Sequence, residues 1–176
     1  MNKINIASIV VEHFATLTDD RSGKVSLADC LTFVGLPLVF AAVAYFSNLP
    51  MPSGLTSILV AIFSIFAALL FSSQIALYSL MPRRPCRVND EILHEKRLKK
   101  FKRQKAFFKQ VNANTSYLIL IATCSLLAFL ILEVLPIRSS IEGAVMTFVV
   151  AHFFLTLILM IKRTSIAFKI GHELRE

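Results

Sequence analysis

Four long runs in this chain carry almost no charge, and 176 residues folded in water cannot hide all of them in one core. They are residues 30–47, 55–81, 117–135 and 143–161. A helix on the surface of a soluble domain keeps a polar face for water; these runs keep none. Charged residues make up 17% of the chain and hydrophobic ones 56%, against roughly a quarter charged in ordinary globular domains. Lipid is the simpler solvent. The predicted fold is an all-α integral membrane protein, a four-transmembrane-helix bundle with an amphipathic N-terminal helix and a basic cytoplasmic helical loop.

Each run has legible ends. Ser26 followed by Asp29 reads as a capping box that opens the first span, Cys30 to Ser47. Pro37 inside it predicts a kink, with a neighbouring helix or a polar side chain serving the freed backbone groups. The breaker-rich NLPMPSG, residues 48–54, is a short hairpin. The second span, Leu55 to Met81, rises roughly 40 Å at 1.5 Å per residue, more than the hydrocarbon core needs. It therefore tilts or emerges before Pro82. The third span runs from Tyr117 to Leu135 and stops at Pro136; the fourth runs from Gly143 to Ile161 and stops at Lys162 and Arg163. Ile166, Ile170 and Leu174 recur every four residues in the tail, so the last helix is expected to continue past its span.

Charge sets the orientation. Eleven Lys and Arg lie between Pro82 and Tyr117 against three acids, a surplus of eight that equals the net charge of the whole chain. The loop after span one has no Lys or Arg, and the loop after span three has only Arg138. Basic loops stay inside. The expected location is the cytoplasmic (inner) membrane, multi-pass, with both termini and the basic connection in the cytoplasm. The chain then divides into an N-terminal interfacial helix and turn (1–25), a first transmembrane hairpin (26–81), a basic cytoplasmic loop or helix (82–116), a second transmembrane hairpin (117–163) and a cytoplasmic tail (164–176).

The N-terminal stretch 3–17 has apolar residues at helical spacing, but it is too short to span, and Glu12 and His13 oppose insertion. It reads as an interfacial or docking helix. No secretory signal is evident. The turn TDDRSGK fails as a calcium loop, because Thr18 stands where the first carboxylate belongs. Cys30, Cys86 and Cys124 are an odd set without metal spacing and read as free thiols.

Three groups of residues are candidates for function. The first is the basic helix, with Asn89 as cap and with Arg97, Lys99, Lys100, Phe101, Lys102, Arg103, Lys105 and Phe108 placed to meet anionic headgroups or a protein partner. Leu98, Phe101, Phe108 and Val111 share a face. A positive field is unselective, so nucleic acid ranks below both. The second is a stripe of small residues in span two, Ser57, Ala61, Ser64, Ala68 and Ser72, with a shorter analogue in span four, Gly143, Thr147 and Ala151. Small faces let helix backbones approach closely, within a bundle or between copies; the competing reading is a pore lined by the serines. The third is the intramembrane polar pair, Glu133 near the outer end of its span and His152 near the midplane. Their depths differ by roughly 10 Å, so they are not an obvious pair.

No catalytic constellation, phosphate loop or metal motif is present, and none of the paired acids or Ser-Lys pairs that intramembrane hydrolysis requires. The expectation is a protein that is not an enzyme and holds no cofactor. Two tight hairpins around a basic cytoplasmic connection, preceded by HFATLTDDRSGK at residues 13–24, resemble the membrane subunits of anti-phage defence systems, in particular the four-helix subunit of the Kiwa system. The resemblance implies a homo-oligomeric membrane platform that binds a soluble cytoplasmic partner, of a family associated with nucleic-acid binding. The leading function is thus a membrane subunit that senses membrane perturbation and recruits that partner. The alternative is a pore- or channel-forming effector.

Overall fold

The computed structural model describes residues 6–16, 31–48, 52, 54–79, 81, 84–85, 90–135 and 139–173, with side chains up to Ser165 except that of Arg163. All regular structure among them is helical. Helix α1 is Ile6–Ala15, α2 is Leu36–Ser47 preceded by a π-helical turn at Leu31–Gly35, α3 is Leu55–Ser79, α4 is Glu91–Val134 and α5 is Ser139–Glu173. The capping box at Ser26, the TDDRSGK turn, Cys30, Cys86 and Asn89 lie outside the described residues.

Three helices, α3, α4 and the Ser139–Lys162 part of α5, are long and apolar enough to cross a bilayer. Leu31–Ser47 is a shorter apolar helix. Their outward surfaces are equally apolar: Phe40, Phe46, Ile65, Leu69, Phe71 and Leu127 are all exposed. Only 17% of the most apolar stretch of α3 is buried. A water-soluble monomer rarely shows contiguous apolar patches beyond a few hundred Å². This is a helical membrane protein.

The helices form an open row. α2 packs on α5, α5 on α4, and α4 on α3, while α1 lies on α4. Among the described residues no contact joins α2 to α3. The first hairpin therefore straddles the second, and its two arms do not pair with each other. Asn48 in the left-handed conformation (φ 46°) and Gly54 (φ 83°) take the chain across that gap. At the same end the Ser140 hydroxyl donates to Asn48 Oδ1, tying the tip of α2 to the start of α5.

The core is a column of large side chains at the α3–α4–α5 junction: Phe63, Leu70, Leu118, Phe129, Met146 and Phe153, with Ala122 giving them room. The Phe63 ring meets Phe129 edge-on at 5.4 Å and Phe153 tilted at 4.8 Å. Through these rings α3 reaches α5, with which it shares no backbone approach. Between helices in lipid, the attraction comes from this close packing and from hydrogen bonds.

The basic helix leads directly into span three: α4 runs unbroken from Glu91 to Val134, roughly 66 Å at 1.5 Å per residue. The polar stretch 112–116 contains neither Gly nor Pro, so the backbone has no reason to stop there. Asp90 caps the helix, its side chain accepting from the Leu93 N–H at 3.1 Å. At the other end the Leu135 N–H closes on Ile131 O at 3.0 Å, and Pro136 follows in the sequence. As the tail periodicity suggested, α5 continues to Glu173.

Candidate functional site

A buried polar junction ties α1, the turn before α2, α4 and α5 together at the level where α4 turns from polar to apolar. It begins with Pro37. Proline has no N–H for the carbonyl four residues back, which here is Phe33 O. That carbonyl accepts from His152 Nδ1 at 2.7 Å. The bond fixes the neutral imidazole as the Nδ1–H tautomer, so Nε2 is an acceptor, and the Tyr117 hydroxyl donates to it at 3.0 Å. Thr156, one turn on, donates back to His152 O at 2.9 Å. His152 thus serves the kink as the neighbouring polar side chain that Pro37 requires, and the structure gives it a bonding role on both ring nitrogens.

The same tyrosine carries the junction to α1. The His13 ring stacks on Tyr117 with centroids 3.8 Å apart and planes within 7°. His13 is 1% exposed, and its Nδ1 lies 2.9 Å from Asn114 Oδ1. Thr16 Oγ1 is 2.7 Å from His13 O and 2.9 Å from the same Asn114 oxygen. A hydroxyl has one hydrogen and cannot donate fully to both. Asn114 itself is 1% exposed, and its Nδ2 has no partner among the described residues. Beside it Gln74 Nε2 of α3 donates to Ser116 at 2.7 Å and to Asn112 at 3.2 Å. Sequence reading missed Asn114, Tyr117, Gln74 and the anchoring use of His13. The available signal was the polar run 112–116 directly before an apolar one.

Below the junction, the basic part of α4 runs on past the apolar spans, as α5 does to Glu173. Lys96, Arg97, Lys99, Lys102, Arg103, Lys105 and Lys109 are exposed, and Lys100 is half-buried. Phe101, Phe107 and Phe108 are half-buried and Val111 fully so, which aligns the expected apolar face along one side. Lys99 Nζ meets Glu95 at 2.9 Å, one turn apart. Its hydrogen bond and then its charge hold the Glu95 carboxyl below the ordinary range; so exposed a pair adds little stability.

The small stripe of α3 faces away from the chain's own core. Ser57, Ala61, Ser64, Ala68 and Ser72 are exposed, while Phe63 and Leu70 are buried on the inner side. Packing within the bundle is therefore not what this stripe does. The Ser64 and Ser72 hydroxyls donate to Val60 O and Ala68 O of their own helix. Within one chain, Phe63, Phe66 and Phe153 fill the space between α3 and α5 that a pore would need. The span-four analogue points inward instead: Gly143 is buried, with Thr147 and Ala151 half-buried. Glu133 is exposed at the rim of a crevice of about 200 Å³ lined by Thr56, Ser57, Val60, Phe129 and Leu130, a lining that does not include His152. Among the described residues no group of His, Cys, Asp and Glu is placed to hold a metal ion.

Comparison with protein families, with curated proteins and with solved structures finds no match. The reading of function rests on the chain's own geometry.

Proposed function

We propose that this chain is a four-span subunit of the cytoplasmic membrane, with both ends and the basic helix in the cytoplasm. In this reading it assembles with copies of itself and recruits or regulates a soluble cytoplasmic protein, as a non-enzymatic part of anti-phage defence that responds to membrane perturbation. The carrying observation is the continuity of α4, apolar in its second half and cationic in its first. A displacement of span three in the bilayer is then a displacement of the cationic post outside it, without a hinge between. The junction supports the same reading, since it ties α1 and the Pro37 kink to α4 where the two halves meet. A fourth span is supported by Leu31–Ser47, apolar throughout and packed along α5. The cytoplasmic side is supported by the eleven cations of 82–116.

The test reverses four charges, Lys99→Glu, Lys100→Glu, Lys102→Glu and Arg103→Glu, in one chain. Protection against phage and co-purification of the product of the neighbouring gene are both expected to be lost. Insertion should be unchanged, read as labelling of a Ser139→Cys probe by an impermeant thiol reagent in intact cells with Cys86 protected. Retained protection would refute the recruiting role, and labelling of Cys86 would refute the orientation.

A further inference from the structure

The following rests on the reading of the chain as a membrane subunit that carries a soluble partner, and it specifies how that partner is held. The apolar part of α4 begins at Tyr117. Gln74 of α3 opposite Ser116, and Met160 of α5 opposite Thr115, mark the same level on both neighbours. N-terminal to that level the helix leaves the bilayer along the axis its packing has set. At 1.5 Å per residue Lys102, Lys99 and Lys96 stand roughly 22, 27 and 32 Å beyond Tyr117. Even a 40° tilt, the top of the observed range, leaves them roughly 17, 21 and 24 Å away. The headgroup layer is roughly 5–8 Å deep, and the field of anionic lipid fades over about 8 Å at physiological salt. Even at that tilt Lys99 and Lys96 stand beyond the reach of the membrane they are attached to, and Lys102 stands at its margin.

The tip of the helix adds a second feature. Ile92 is 71% exposed and lies roughly 37 Å beyond Tyr117, where no acyl chain can cover it. Asp90, Glu91 and Glu95 share that end. Nucleic acid fits poorly here, because phosphates would meet three carboxylates and offer nothing to Ile92. The exposed cations other than Arg97 fall within about half of the helix circumference, turned away from the face of Leu98, Phe101, Phe108 and Val111.

We infer that the distal half of the basic helix is a stand-off docking post: it seats in an acidic groove of a soluble protein, with Ile92 in an aliphatic pocket at the far end, and does not bind the bilayer from which it rises. Charge complementarity selects the groove, and the helix-in-groove mode supplies the apolar anchor.

The stand-off is tested on the full chain in lipid nanodiscs, with its native cysteines changed to Ser and a bimane fluorophore on Lys99→Cys or on Lys109→Cys. The quencher is a headgroup-spin-labelled lipid, in neutral discs and in discs with one-third phosphatidylglycerol. Quenching is expected at position 109 and absent at position 99 in both lipids; quenching at 99 in the anionic discs overturns the inference. The occupant is tested in cells with a photoreactive benzophenone residue substituted at Ile92. The expected product is one adduct of fixed mass that protease removes and nuclease does not, lost in Lys99→Glu/Lys102→Glu. A nuclease-sensitive adduct, a lipid adduct or none overturns it. Loss of phage protection on charge reversal together with quenching at 99 would leave the recruiting role standing and sink the post. An unquenched position 99 with protection intact after reversal would do the opposite.

Discussion

His152 is the residue at which the usual expectation for an ionisable group in a membrane gives way to a backbone argument. An intramembrane histidine invites a proton path, yet this one spends Nδ1 on Phe33 O and Nε2 on Tyr117. Its use follows from a missing hydrogen atom on Pro37, four residues after Phe33. His152→Phe strands a buried carbonyl at about 1–3 kcal/mol, which is expected to lower the midpoint of thermal unfolding in detergent by roughly 3–10 °C for a chain of this size. Pro37→Ala restores an N–H, so the same His152→Phe change made in that background should cost less. A double-mutant cycle measures this as a coupling on the order of 1 kcal/mol. Purely additive midpoints would mean that the histidine does not serve the kink. The sequence announced a kink and the need for a compensating group, but not which one, because Phe33 and His152 are 119 positions apart and only the packing of α2 on α5 brings them together.

Among the elements, α3 separates the two kinds of packing available to a helix in lipid. Its inner side carries Phe63 and Leu70 into the core, and its outer side presents the small residues. Leu70→Ala should therefore act on the fold, at about 2–5 kcal/mol for a buried leucine, and leave any association between chains in place. Ala61→Leu with Ala68→Leu should do the reverse: near-native thermal stability, with a shift to smaller species in light scattering from mild detergent. If both variants lose stability and neither changes size, the outer stripe is an ordinary lipid-facing surface. The opposition of these two sides was legible from spacing alone, since residues 63 and 70 repeat at seven and 57, 61, 64, 68 and 72 recur at steps of three or four on another face. Which side turned inward was not legible, because lipid tolerates small and large apolar residues alike. The polar and apolar halves of α4 differ in solvent but not in helix propensity, so composition changes at Tyr117 where the backbone does not break.

For the whole molecule, the helical membrane class and the gathering of the surplus charge in one segment followed from the sequence, whereas neighbour relations did not. Short connections such as 48–54 make adjacency the default expectation, and here α2 and α3 are held apart by the second hairpin. That separation has a consequence in time. Ribosomes deliver α2 well before α5, at roughly 5–20 residues per second, so the Phe33 carbonyl waits on the order of ten seconds for the histidine that completes it. Until then α2 is an unfinished part, with a kink and no partner along its length. A chain ending at residue 138 should consequently be short-lived in cells and recognised by membrane quality control, as followed in a pulse-chase. Supplying residues 139–176 as a separate polypeptide should restore its half-life. Should the truncated chain persist unaided, α2 needs no late partner. If instead it is cleared until residues 139–176 are supplied, quality control of this protein is decided by its last helix, which inspects α2.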